Sequence, residues 1–377
     1  MTNRLYLIHV FGALIFILPF LQEPEKKKYT QPSTIPFDED SLQSYMVDYV
    51  DTLSGETLHQ VKTKEGMPLY YFSNIKTGVC FDNKCRPLDI IVYWNITGRY
   101  LGFELPDEEF LSKYDHEPFT TAEYNRLNTL LADSLLPLGD VSFEELIQQS
   151  ATNDNHVDGV SGATSKEVLD FVVEGAAYTT HKLWNIIYGS SQDLVISLTE
   201  KELTPGFIAL ILNSPDLSDK IWALHRIDAS IEIEAKLENS LMEIIGSDDF
   251  FLAYTAINAI QPAHLKSDTL QISLFSKYED VNHGLKKLIV EKLKEAPKIS
   301  TEVIKMSWKV LDHINGQQLG TILELYDKHS IHDIETCRWV ASLLADDNSF
   351  ISQKAYNYLS GLDIKDDTII EALNKYR

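Results

Sequence analysis

The run Asp158-Gly159-Val160-Ser161-Gly162-Ala163-Thr164, continued by Ser165-Lys166-Glu167 and an apolar-periodic stretch, is where residue types and spacing best suit chemistry. It reads as a loop of small residues feeding a helix N-terminus. Such a terminus has backbone N–H groups without intrahelical partners and the positive end of the macrodipole, and both favour a phosphate. The same letters have a purely structural reading. Thr164-x-x-Glu167 is a capping box, in which the threonine hydroxyl accepts from the third amide and Glu167 reaches back, and capping alone accounts for the spacing.

Other candidates are weaker. Cys80 and Cys85 flank four residues and would face each other if Phe81 to Lys84 turn a hairpin. In an oxidising compartment a cross-strand disulfide is expected there, stabilising by ~2 kcal/mol; a redox-active pair or two metal thiolates is the competing reading. A metal at that place lacks two further ligands at a familiar spacing, and three cysteines cannot make a four-thiolate zinc site. Cys337 falls on an apolar helical face and reads as a buried free thiol. Asp115-His116-Glu117 and His329-x-x-His332 hold ligand-type residues, but such short strings are frequent in loops, and no metal is expected. Asn95-Ile96-Thr97 has the letters of a glycosylation acceptor inside a strand. No P-loop, Gly-rich dinucleotide fingerprint or nucleophile elbow occurs, so hydrolase and kinase readings have nothing to rest on.

The order Asp-x-x-Ser-Gly-Ala-Thr in residues 158–164 resembles the attachment motif of the FMN-binding domain family found in subunits of the sodium-pumping NADH:quinone oxidoreductase and the Rnf complex. In that family a flavin transferase, using FAD and magnesium, joins FMN through its phosphate to the threonine hydroxyl outside the cytoplasm. The resemblance implies Thr164 as the esterified residue, with Asp158, Ser161, Gly162 and Ala163 as the recognition loop. Lys166 stands where the family commonly has another threonine or serine. Lys76 to Cys85, Asp115 to Phe119 and Glu174 to Trp184 look like a divergent exported subgroup of such proteins. A phosphoester at Thr164 leaves the flavin ring on a flexible arm. Tyr178 and Trp184 are candidates to contact that ring, although a core-facing stripe falls on the same positions.

These residues need elements to position them. Leu5 to Leu21 is almost wholly apolar, with Arg4 before it and the polar, Lys-rich Gln22 to Tyr29 after it, which reads as an export signal or membrane anchor. Such a segment is near the low end of what spans a core of ~30 Å. Pro24, Pro32 and Pro36 make residues 22–40 a solvated linker. Ser41 to Leu53 reads as a short helix. Strands are expected at Leu69 to Phe72, Ile75 to Cys80, Leu88 to Ile96 and Tyr100 to Leu105, with hairpin bends at Asp82-Asn83 and Gly98. Helical stripes follow at Thr120 to Leu135 and Phe143 to Gln149, then a helix from about Ser165 to Ile187.

After Gly189 the composition changes, with four of the thirteen prolines, six of the seventeen glycines and apolar residues at spacings of three and four. Leu252 to Leu285 and Val303 to Ile334 hint at stacked helix pairs. With 44% hydrophobic residues the chain is globular, and 33 cationic against 56 acidic residues, net −23, argue against nucleic-acid binding. The expected fold is an α+β flavin-binding domain at 41–190, behind the leader 1–21 and linker 22–40, then an all-α helical-repeat (HEAT-like) domain at 191–377. The expected function is extracytoplasmic electron transfer by FMN covalently held at Thr164. Its partners are a flavin transferase, an unnamed redox protein and, through the N-terminal segment, the membrane of an exported envelope or periplasmic protein. The competing class is a non-enzymatic envelope scaffold that binds partners through its repeats.

Overall fold

The computed structural model describes residues 28–30, 41–49, 53–79, 86–113, 116–146, 169–311 and 313–376. Its first part is a six-stranded antiparallel sheet in the order β1-β6-β5-β4-β3-β2. The strands are β1 (Lys28–Thr30), β2 (Ser41–Tyr49), β3 (Leu53–Lys62), β4 (Pro68–Thr77), β5 (Leu88–Asn95) and β6 (Tyr100–Glu104). Leu58, Tyr71, Ile75, Ile90, Val92, Trp94 and Phe103 alternate along β3 to β6 and are buried, as the period of two requires of a face packed on a core. Helices α1 (Thr121–Ala132), α2 (Ala177–Ile187) and α3 (Ser190–Glu200) join that core, α1 against β6 and α3 against β2.

Several expectations hold. Strands β5 and β6 lie where Leu88 to Ile96 and Tyr100 to Leu105 placed them. Gly98, at φ +82°, makes the bend between them, where a Cβ would stand 2.9 Å from Gln192 and Ile196 side-chain atoms. The stripe expected from Thr120 to Leu135 is helix α1, which ends at Ala132 and which Thr120 caps in a full capping box with Glu123. Other expectations are corrected. In the span expected as a helix, Ser41 to Leu53, residues Ser41 to Tyr49 are instead strand β2, paired with β3 along nearly its whole length, and ladder formation outweighs local propensity. Leu69 to Phe72 and Ile75 to Thr77 belong to one strand, β4, with Ser73 buried between them and its hydroxyl bonded to the Thr57 carbonyl; the strand expected to run on to Cys80 stops at Thr77, and Cys80 lies outside the described residues. Phe143 to Gln149 begins as a 3-10 turn over Phe143–Leu146. The start of the helix expected from about Ser165 to Ile187 lies outside the described residues; from Leu169 on it is not continuous, since Leu169–Phe171 is a 3-10 turn and Gly175 at φ +72° breaks the chain before α2.

Eleven further helices complete the described chain: α4 (Pro205–Leu212), α5 (Leu217–Leu224), α6 (Ala235–Ile245), α7 (Phe250–Ala259), α8 (Asp268–Ser276), α9 (His283–Leu293), α10 (Thr301–Leu311), α11 (Gly316–His329), α12 (Ile334–Ser342), α13 (Ser349–Ser360) and α14 (Asp367–Tyr376). Contacts run from each helix to the second one along, α5 to α7 to α9 to α11 to α13 in one layer and α4 to α6 to α8 to α10 to α12 to α14 in the other. The caps of the first layer are Asp216, Asp249, Asn282, Asn315 and Asn348, 33 residues apart each time. Ser267, Ser300, Asp333 and Asp366 cap the other layer with the same spacing. Each side-chain oxygen accepts from an otherwise unpartnered first-turn amide, worth about 1 kcal/mol. The core repeats with the caps: Ala223, Ala256, Ile289, Ile322 and Ala355 are all fully buried.

Candidate functional site

Asp158, Ser161, Gly162, Ala163 and Thr164 lie outside the described residues, as do Cys80 and Cys85 and the bend at Asp82-Asn83. The residues on either side of the loop are placed. On the near side Leu146 is fully buried and Glu145 accepts from the Ser142 amide. On the far side the Arg126 guanidinium of α1 donates to the Asp170 carbonyl, and Val172 and Val173 are buried. Helix α2 ties the two together. His181 Nε2 meets the Val141 carbonyl at 2.8 Å, Asn185 donates to the Leu138 carbonyl, and the Val173 amide donates to Thr180 Oγ1 at 3.1 Å. Lys182 Nζ donates to the Gly78 carbonyl at 2.8 Å, which brings the end of β4, just before Cys80, to the same helix. Burial lowers the His181 pKa against the opposing pull of its carbonyl partners, keeping the ring neutral at pH 7.

Both aromatic candidates are on α2. Trp184 is 8% exposed; its Nε1 donates to the Asp133 carbonyl at 2.9 Å and its ring lies 4.8 Å from that of Tyr188. It packs the seam between α1 and α2. Tyr178 is half-buried on the first turn.

Two polar clusters that sequence reading missed join the sheet to the helices after it. Asp219 of α5 is fully buried and accepts from Asn95 Nδ2 (2.7 Å), Thr97 Oγ1 (2.7 Å), Ser214 Oγ (2.8 Å) and Arg99 Nη2 (3.0 Å). Burial pushes its carboxyl up, but the hydrogen bonds from Arg99 and Thr97 and the charge of Arg99 prevail, so it titrates below the ordinary 3.8. One strand in from the sheet edge, Gln60 and Lys62 of β3 donate to Glu202 at 3.0 and 2.9 Å, and Tyr71 meets Thr199 at 3.0 Å. Sheet-to-helix partners 120 to 142 residues apart leave no local pattern to read. A hint was available, since Asp219 stands three places after its cap, where Leu252, Leu285 and Ile351 stand in other pairs. Asn95, fully buried and bonded to Asp219, is not an accessible glycan acceptor in the folded chain.

His329 bonds the Leu293 carbonyl and His332 faces the Tyr358 ring. Among the described residues no group of three or more His, Cys, Asp or Glu side chains is set to hold a metal. Cys337 is a buried free thiol. No described helix is long and apolar enough to cross a membrane; Leu5 to Leu21 lies outside the described residues. No protein-family model matches the chain, and no curated protein matches it.

Proposed function

We propose that the chain is an exported electron-transfer flavoprotein with FMN joined by a phosphoester to Thr164, attached by a flavin transferase and held near the membrane by the N-terminal segment. The observation that carries this reading is the order Asp158-x-x-Ser161-Gly162-Ala163-Thr164. Flavin supplies one- and two-electron transfer itself, so the protein need only hold it, tune its surroundings and control access. The hydrogen bonds of α2 to Val141, Leu138 and Val173 give the loop fixed ends, which supports that role. With its indole N–H bonded and its ring set against that of Tyr188, Trp184 contributes by packing α2 on α1, which leaves Tyr178, closer in sequence to Thr164, as the aromatic candidate.

The 33-residue cap spacing supports reading the second half as HEAT-like helix pairs that dock a partner. The same spacing favours a second reading, a non-enzymatic envelope scaffold in which the loop only caps a helix. Intact-mass measurement after co-expression with a flavin transferase separates the two. The flavin reading expects one FMN, lost together with in-gel fluorescence in Thr164→Ala. Wild-type protein without flavin beside an active transferase leaves the scaffold.

A further inference from the structure

The first two turns of α5, α7, α9, α11 and α13 form an edge whose composition departs from the rest of the chain. None of the residues one, two, five or six places after the five caps is Asp or Glu, in a sequence with 56 of them. Large apolar side chains stand exposed there instead: Leu217, Phe250, Phe251 (59% exposed), Tyr254 and Phe350 (57%). The helix starts touch in sequence. The Phe250 ring lies 3.4 Å from where a Cβ on Gly284 would be, His283 bonds Gln317 at 3.3 Å, and Phe350 covers Gly316. The edge is therefore one continuous surface.

Its middle is cationic. A shallow surface depression between α9 and α11 is lined by Tyr278, His283, Lys286, Lys287, Gln317 and Thr321. Lys286 pairs with Glu279 at a long 3.9 Å and lies over the Tyr278 ring, 5.4 Å from its centre, and Lys354 lies over the Phe350 ring, 4.9 Å from its centre. Carboxylates bound this band: Asp248, Glu279 and Asp280 in the loops before the caps, the cap Asp249 itself, and Glu291 and Glu324 a turn further along. An acidic ligand is favoured along the band and repelled on either side, which sets its register more than its affinity.

We propose that this edge docks an extended acidic segment of a partner protein. Its carboxylates would meet His283, Lys286 and Lys287, and its apolar side chains would meet Phe250, Phe251 and Tyr254 on one side and Phe350 on the other. From α7 to α13 is three helix steps of ~8–10 Å, a span covered by about eight or nine extended residues at ~3.3 Å each. The inference rests on the stacked helix pairs and not on flavin at Thr164.

The test is fluorescence anisotropy with the full chain and a fluorescein-labelled peptide of that length, carrying a phenylalanine at each end and aspartates between. Its control has lysines for the aspartates. The acidic peptide should bind and the lysine peptide should not. Lys287→Glu and Phe251→Asp should each weaken binding roughly tenfold or more, with thermal unfolding unchanged, since both side chains are exposed. Thr164→Ala should bind as wild type does, which keeps this outcome separate from that of the flavin reading. Equal binding of the two peptides, or wild-type binding by both edge variants, overturns the proposal. So does a dimer in sedimentation that Phe251→Asp dissociates, because the edge then belongs to a second copy.

Discussion

Asp219→Ala removes the carboxylate on which the end of β5, the β5–β6 bend and the start of α5 converge. In the wild type it takes hydrogen bonds from Asn95, Thr97, Ser214 and Arg99 between 2.7 and 3.0 Å, fully out of water. The variant strips the acceptor from four donors and leaves Arg99 with Asp216, at 3.4 Å, as its remaining carboxylate. Removing one partner of a buried charged pair costs about 3–5 kcal/mol, a large share of the ~5–15 kcal/mol that holds a domain together. Urea unfolding followed by circular dichroism measures it. Asp219→Asn keeps the shape and an acceptor oxygen and should lose less. The titration has a definite sign. The folded carboxyl sits below 3.8, so its contribution is fully present above the unfolded value and is lost as pH falls beneath it. The advantage of wild type over Asp219→Asn should therefore be constant near neutrality and shrink on acidification. A loss in Asp219→Ala below about 1 kcal/mol, the size of an exposed pair, would refute the claim that this cluster joins the sheet to the helices.

A chain ending after Gly189 loses Thr199, Glu202 and Asp219 together, and the unfolding of residues 38–190 should lack a cooperative transition; a sharp one would show that the joint is dispensable. Gly316→Ala places a Cβ 2.1 Å from the Phe350 ring and should cost about 1–3 kcal/mol, most of it restored by adding Phe350→Ala. Equal losses in the single and double variants, read from urea midpoints, would exclude that clash as the cause. Thiol counting on denatured, unreduced protein from an oxidising compartment should find one free thiol, Cys337, whereas three would mean that Cys80 and Cys85 are not bridged.

How far the sequence could be read depends on the range of the physics at each element. β5, β6 and α1 were legible because Val, Ile and Trp alternate, Gly98 takes a left-handed bend and Tyr124, Leu127, Leu130 and Leu131 recur at helical spacing, all within a few residues. β3 was missed because Glu56, His59, Gln60 and Lys62 look solvated; Gln60 is buried with Tyr71 and Tyr45 bonded to it across the ladder and Glu202 accepting from it. The repeat was half visible. Leu252 to Leu285 has the 33-residue spacing, but the counterpart of Val303 is Thr336 and not Ile334, and that buried polar residue hides the period. Cap residues keep the spacing better than core residues do, since a capping oxygen must meet a fixed amide while a core site accepts Ala, Ile or Leu. For the flavin loop the sequence offers a motif, and for Trp184 the structure adds what the motif left open, an indole bonded inside the core.

The seam at Asp219 bears on the order in which the chain folds. Pairs within the helix stack close short loops: His283 with Gln317 is 34 residues apart, Trp308 with Thr336 is 28, Ser307 with Tyr326 is 19. Asn95 with Asp219 and Gln60 with Glu202 close loops of 124 and 142. Each doubling of loop length adds about 0.6 kcal/mol to closure, and low contact order speeds folding by far more than that single term. The hypothesis is that the stack forms first and supplies a finished edge, with α5 carrying Asp219, onto which the slower sheet closes. Pulsed hydrogen exchange during refolding would then protect amides of α9 and α11 ahead of those of β4 and β5. Protection of the sheet first would reverse the order and make the helices the late arrivals.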